Sequence, residues 1–230
     1  MIGRAIGVLV SWFFRLLGAV ILLSIIWVVA YRFLPPPMTW LMARDAIAGQ
    51  RVKHAWVPLT AMSRSLPRAV IGAEDANFCY HHGVDFEAVK AAAEANLKGR
   101  KLRGGSTISQ QTAKNAFLWP ERSYVRKGLE VWFTGLIELL WGKPRIMEVY
   151  LNIVEMGPGI YGMPAASIHY FGTKVDRLSP AQAAKLTAIL PQPIKRSVNK
   201  PSRSVRRYAR RIEKRVRVVR DEGIDACLWN

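Results

Sequence analysis

The chain has 230 residues, half of them hydrophobic, with 34 Lys and Arg against 16 Asp and Glu, a net charge of +18. That apolar content excludes a disordered chain and suits one membrane segment with one folded domain. The charge calls for an anionic partner: nucleic acid, lipid headgroups or a phosphorylated substrate. The two cysteines, Cys79 and Cys227, are too few for a disulfide framework. Cys79 sits in a stretch read as helical and partly apolar, so a small buried hydrophobe is expected there rather than a disulfide partner or a metal ligand.

From Ile6 to Tyr31 the sequence is apolar except for Arg15 and two serines. The charge-free part, Leu16 to Tyr31, is short of the ~20 residues a spanning helix needs, and Val8 to Phe14 supply the rest. The span is therefore placed at about 8–31 within an anchor of residues 1–37, with Arg15 reaching toward the interface and Trp12 and Trp27 suited to interfacial belts. Pro35, Pro36 and Pro37 stop the helix. No small-x-small cleavage site follows, which favours a retained anchor over a signal peptide. Arg4 and Arg15 precede the span and Arg32, Arg44, Arg51 and Lys53 follow it, so the positive-inside rule does not assign the orientation.

Residues 38–64 read as a connector rich in basic and aromatic residues. Ser65 and Pro67 open a helix to about Asp75. Asp85 caps a second helix through about Lys98, ended by Gly99. Residues 99–105 (GRKLRGG) read as a mobile basic loop. Ser106 opens a helix to about Phe117, Tyr124 to Trp141 is a long helix, and Pro144 starts another with Ile146, Met147, Tyr150 and Leu151 as apolar positions. Met156 to Gly162 (MGPGIYG) is expected to be irregular. Ser179-Pro180-Ala181-Gln182 is a capping box opening a helix that ends before Pro191. Residues 202–220 form a basic amphipathic helix with Val205, Tyr208, Ile212, Val216 and Val219 on one stripe; it is expected to dock on the core with its charged face in solvent, contact with anionic lipid heads being the alternative. No strand alternation is apparent. The fold class is mainly α: an anchor (1–37), a connector (38–64), a domain (65–200) and a basic carboxy-terminal helix (201–230).

Glu74 and Asp75 end a helix of apolar and small residues. Partial desolvation and the negative end of the helix dipole both disfavour a charged carboxylate there, as a general acid or base requires. Glu130 follows Arg126 by one turn, and an intrahelical ion pair is the plain explanation.

Taken in order, five segments resemble the signatures of glycosyltransferase family 51. Glu74-Asp75 through Phe78 and His81-His82-Gly83 to Asp85 is similar to the first. Gly104-Gly105-Ser106-Thr107 through Gln110-Gln111 to Lys114-Asn115 resembles the second, with Ser109 in place of a more usual Thr. Arg126-Lys127 to Glu130 resembles the third, Glu148 through Tyr150-Leu151-Asn152 to Gly162 the fourth, and Leu178-Ser179 to Leu190-Pro191 the fifth. The resemblance covers about residues 60–195. No penicillin-binding sequence follows, so the monofunctional branch is expected.

The resemblance implies a lysozyme-like α-helical domain that polymerises lipid II into β-1,4-linked glycan, with inversion and release of undecaprenyl diphosphate. Glu74 then matches the general base. Glu130 matches a second essential carboxylate near the donor diphosphate, orienting a basic side chain or a divalent cation such as Mg2+ or Mn2+; no cofactor is otherwise required. Lys114, Arg122, Arg126 and Lys127 are the cations for the departing diphosphate, where fixed charge in a water-poor cleft counts most. Ser109, Gln110, Gln111 and Asn115 are candidates to hold sugar hydroxyls or phosphates, while Phe78, Tyr150 and Leu151 are expected in the core. The implied partners are lipid II, the growing glycan and other cell-wall synthesis and division proteins. The implied location is the bacterial inner membrane, single-pass, with a periplasmic catalytic domain. A lysozyme-like hydrolase and a non-enzymatic membrane scaffold are the rival readings, and no nucleic-acid motif is present.

Overall fold

The amino-terminal apolar run forms one helix, α1 (Ile2–Phe33), in a computed structural model that describes residues 2–97, 105–121 and 123–229. Its segment Ile6–Phe33 is long and apolar enough to cross a membrane. At 1.5 Å per residue it reaches about 42 Å, beyond the ~30 Å hydrocarbon layer. The surplus is its last turns, which pack against the rest of the chain. Val28 is fully buried. Trp27, suited by sequence to an interfacial belt, sets its ring edge-on to Phe117 and Phe133, which stack on each other at 4.6 Å. A helix end leaves carbonyls without partners. Here Trp141 Nε1 donates to Val28 O at 2.8 Å, and Arg145 donates to the carbonyls of Tyr31 and Leu34.

The helices follow in order: α2 (Trp40–Ile47), α3 (Ser65–Glu74), α4 (Phe86–Leu97), α5 (Ile108–Phe117), α6 (Tyr124–Leu140), α7 (Lys143–Ile153), α8 (Met163–Phe171), α9 (Pro180–Ile189) and α10 (Arg203–Asp221). Three short strands, β1 (Lys53–His54), β2 (Glu155–Gly157) and β3 (Ile160–Tyr161), form a sheet in the order β1-β3-β2. β1 runs parallel to β3 and β2 antiparallel to it. The mainly α reading stands: α3, α5, α6, α9 and α10 begin and end, and α7 begins, within two residues of the expected positions, whereas α1 starts at Ile2, ahead of the span placed at about 8–31.

The sequence reading has no helix at α8 (Met163–Phe171), and four further features differ from it. Most of Met156 to Gly162, expected to be irregular, falls in the β2–β3 hairpin of residues 155–161; strands of two and three residues are too short for alternation to register. The connector contains α2, opened by Thr39, whose hydroxyl accepts Met42 N–H. The cap of α5 is Thr107, in a full capping box with Gln110, and not Ser106. Cys79 lies in the turn between α3 and α4 and is bonded to Cys227, 148 residues away. The chain reverses after Glu74 and brings that turn beside the carboxy-terminal turn, a proximity that no local pattern encodes. The basic loop at 99–105 lies outside the described residues except for Gly105.

The core lies between α3, α5, α7, α9 and α10. Leu66, Ala69, Val70 and Ile71 of α3 meet the buried stripe of α10, Val205, Ile212, Val216 and Val219. A Cβ on Gly72 would come within 2.9 Å of Arg215 Cβ, so glycine is what lets α3 and α10 close. Gly162 (φ 80°) starts α8 against the end of α7; a Cβ there would lie 2.2 Å from Asn152 O.

Candidate active site

The packing of α3, α5, α6, α9 and α10 leaves a cleft of about 1130 Å3. Glu74, at the last turn of α3, lies on one wall beside Gln110, Gln111 and Lys114 of α5. Arg126, Lys127 and Glu130 enter from the first turns of α6. The capping box fixes where α5 begins, and Ser123 caps α6 by accepting Arg126 N–H at 3.1 Å. The cleft-lining side chains of α5 and α6 are thus set within two turns of defined helix starts.

Glu74 is partly desolvated. Burial raises its pKa above the ordinary carboxylate value, a hydrogen bond from Gln111 and the charge of Arg196 pull it back, and the Asp75 charge adds to the rise. Gln111 Nε2 donates to Glu74 Oε2 at 3.3 Å. Its neighbour Asp75 has a different task. Asp75 Oδ2 accepts Ile108 N–H at 2.9 Å and both its oxygens face His81 Nε2. Gly83 N–H donates to His81 Nδ1, so Nε2 carries the proton directed at Asp75. Asp75 therefore ties the end of α3 to the start of α5 and leaves Glu74 as the carboxylate of this pair that lines the cleft.

Both oxygens of Glu130 are engaged by cations. Arg126 Nη1 donates to Oε2 at 3.0 Å and Lys127 Nζ to Oε1 at 2.5 Å. Arg126 is 8% and Glu130 4% exposed, so this pairing sits in a poorly solvated place where ion pairs hold their geometry. Arg126 Nε is buried with no hydrogen-bond partner among the described residues. A buried orphan donor in a cleft wall is a place for a ligand acceptor.

Of the residues the sequence singles out, Glu74, Glu130, Lys114, Arg126, Lys127, Gln110 and Gln111 line this cleft together. Ser109 does not: it is fully buried, and its hydroxyl donates to Glu138, which also pairs with Lys143 at 2.8 Å. At about 100° per residue, Ser109 is turned off the face that Gln110 and Gln111 share. Asn115 is half-buried and off that lining as well, and Arg122 lies outside the described residues. The opposite wall was not anticipated. Arg196, Tyr208, Arg211 and Arg215 line it, with the guanidinium groups of Arg196 and Arg211 each 5.7 Å from the Tyr208 ring. Part of the charged face of α10 thus looks into the cleft and not into solvent. The signal was present: residues 208, 211 and 215 fall at steps of three and four and share one side of the helix.

The Transglycosylase family model matches residues 42–221. The chain belongs to the transglycosylase family. Among its relatives, a protein named biosynthetic peptidoglycan transglycosylase from Caulobacter vibrioides is 56% identical over 201 residues, 87% of this chain and 88% of the relative. Proteins of the same name from Rhodospirillum centenum and Shewanella oneidensis are 48% and 46% identical, each covering more than nine-tenths of both chains. The transglycosylase match takes in most of α2 and all of α10, so α10 belongs to the same unit as the cleft it borders. Among the described residues no cluster of three or more acidic, His or Cys ligands occurs, and each Glu130 oxygen accepts from a cationic side chain. A divalent ion beside Glu130 would have that one carboxylate from the protein, with phosphate oxygens and water to complete its shell.

Proposed function

We propose that this chain is a biosynthetic peptidoglycan transglycosylase that polymerises lipid II, with Glu74 as general base and inversion at the donor anomeric carbon. The observation that carries the reading is one cleft with a partly desolvated carboxylate on one wall and a carboxylate-fixed pair of cations close by. The acceptor 4-hydroxyl attacks the donor anomeric carbon while Glu74 takes its proton. The bond from that carbon to the diphosphate oxygen breaks, and the electron pair leaves on undecaprenyl diphosphate. Arg126 and Lys127, oriented by Glu130, and Lys114 stabilise that charge without reorganising. The unpartnered Arg126 Nε supplies a further donor.

The lipid tails of such substrates stay in a bilayer, which fits a domain docked on the end of α1. We place the catalytic domain on the periplasmic side of the inner membrane. Support comes from the Cys79–Cys227 disulfide, since such bonds persist in oxidising compartments and not in the cytosol.

The test incubates purified full-length protein with labelled lipid II and separates polymer from monomer. Wild type should polymerise, and Glu74→Gln should lose about 10²–10⁴-fold in rate. Near-wild-type polymerisation by that variant removes Glu74 as base. Cleavage of finished peptidoglycan by wild type, without polymerisation, favours a hydrolase.

A further inference from the structure

Two polar groups stand behind Glu74, one beyond the other. Tyr150 of α7 is fully buried, and its hydroxyl donates to Gln111 Oε1 at 3.2 Å. With its carbonyl so engaged, Gln111 turns its amide N–H toward Glu74 Oε2. The two ends agree on the amide orientation: a hydroxyl donor meets the oxygen, and an anion meets the nitrogen. Reversed, the amide would set oxygen against an ionised carboxylate.

We propose that Gln111, oriented by Tyr150, is a positioning residue that keeps the general base ionised, rather than a ligand for sugar. The inference rests on the reading of Glu74 as base. A carboxylate at the end of an apolar helix tends to pick up a proton, and a base already protonated cannot accept one. A hydrogen bond from Gln111 to the anion opposes that tendency. Tyr150 can serve as a fixed donor because burial and the Glu74 charge push its own ionisation well above the ordinary range. The remaining charged groups around Glu74 do not replace this contact. Asp75 is committed to His81 and Ile108 N–H, and Arg215 donates to Gly72 O. Arg196 donates to Ala188 O and acts on Glu74 through space. Lys114 and Arg211 line the cleft as well, and their charge is common to every variant below.

The experiment compares wild type, Gln111→Met and Tyr150→Phe as full-length proteins on lipid II, recording kcat and KM from pH 5 to 9, with Glu74→Gln as reference. Methionine keeps length and removes the donor; phenylalanine keeps the ring and removes the hydroxyl. For Gln111→Met the acid limb of kcat/KM should move up by roughly one pH unit, about a fivefold loss at the wild-type half-maximum, recovered at higher pH with KM within about twofold. Tyr150→Phe should move it the same way by less, roughly threefold at that pH. A raised KM with an unmoved limb makes Gln111 a substrate ligand and overturns the proposal. An equal loss at every pH makes both residues structural and also overturns it. If Gln111→Met is unfolded by circular dichroism, Tyr150→Phe decides by the same criteria. Retained activity in Glu74→Gln would instead strike the base assignment itself, whatever the limbs do.

Discussion

Breaking the Cys79–Cys227 bond should lower stability substantially while leaving the protein folded. The bond joins residues 148 apart, closing most of the chain outside the anchor into one loop. In the chain-entropy account such a closure removes about 17 cal/mol/K from the unfolded ensemble, or ~5 kcal/mol at 25 °C. Measured values fall below that limit, so a loss of roughly 2–5 kcal/mol is expected, and a melting midpoint lower by about 5–15 °C for a domain of this size. Folding should survive because other contacts hold the carboxy-terminal turn. Asp225 accepts Arg68 Nε at 2.8 Å and Trp229 Nε1 at 2.7 Å, and Arg64 lies 4.5 Å from the Trp229 ring. The assay is thermal unfolding in detergent, with and without reductant, of wild type and of the Cys79→Ser/Cys227→Ser double variant. Reductant should lower the wild-type midpoint to that of the double variant and leave the variant unmoved. Equal midpoints for oxidised wild type and the double variant would refute the reasoning, as would a reductant effect on the variant.

Four further outcomes can be checked. Glu74→Gln should melt at or above wild type at neutral pH: the folded pKa of Glu74 is raised, so its contribution is fully present below the unfolded value and is lost as pH rises through the folded one. The gap should close in acid, and a lower midpoint at pH 7 would contradict the burial argument. Arg126→Ala should cost both polymerisation and ~3 kcal/mol in denaturant titration, because it strips a buried carboxylate of one partner. Lys127→Ala, its side chain 51% exposed, should slow donor turnover with a stability change under ~1 kcal/mol. Deleting residues 1–34 should destabilise the domain more than deleting 1–20, since the longer cut removes Trp27, Val28 and Tyr31 from the cluster around Phe117 and Phe133; equal melting midpoints would mean that the packing of α1 contributes nothing.

The elements legible in the sequence were those with local punctuation. Ser179 and Gln182 announce α9 because a capping box is complete within four residues, and both of its hydrogen bonds are present. Ser202 and the four-residue steps announce α10 in the same way. The β2–β3 hairpin was illegible because strands of three and two residues barely complete one two-residue period. The disulfide was illegible because it depends on where the turn after Glu74 points, and that follows from Asp75 holding His81 and the start of α5. α2 was hidden in a segment whose basic and aromatic content resembles a linker; its buried Asp45, which takes the Tyr161 hydroxyl at 2.6 Å, acquires meaning from a partner 116 residues on.

The candidate site divides along the same line. Where one helix presents several groups, the resemblance named them and helix spacing explains why they meet: Arg126, Lys127 and Glu130 are neighbours on any helix, and Gln110, Gln111 and Lys114 line one cleft from α5. The wall built by α10 was missed because amphipathicity identifies a stripe that must be buried, and says nothing of what stands opposite its flanks. Once Val205, Ile212 and Val216 are buried against α3 and α9, residues 208, 211 and 215 are carried to the cleft edge with no further choice. The two carboxylates were told apart in the sequence by the family resemblance, and residue type alone does not tell them apart. Glu74 and Glu130 are the same residue type, both in helices, both beside basic residues in space. Among the described residues Glu74 receives one long amide contact, which suits the proposed base, whereas both Glu130 oxygens accept from cations, which suits the proposed orienting anion. Which donors reach each carboxylate is decided by the packing of α3, α5 and α6 around one cleft.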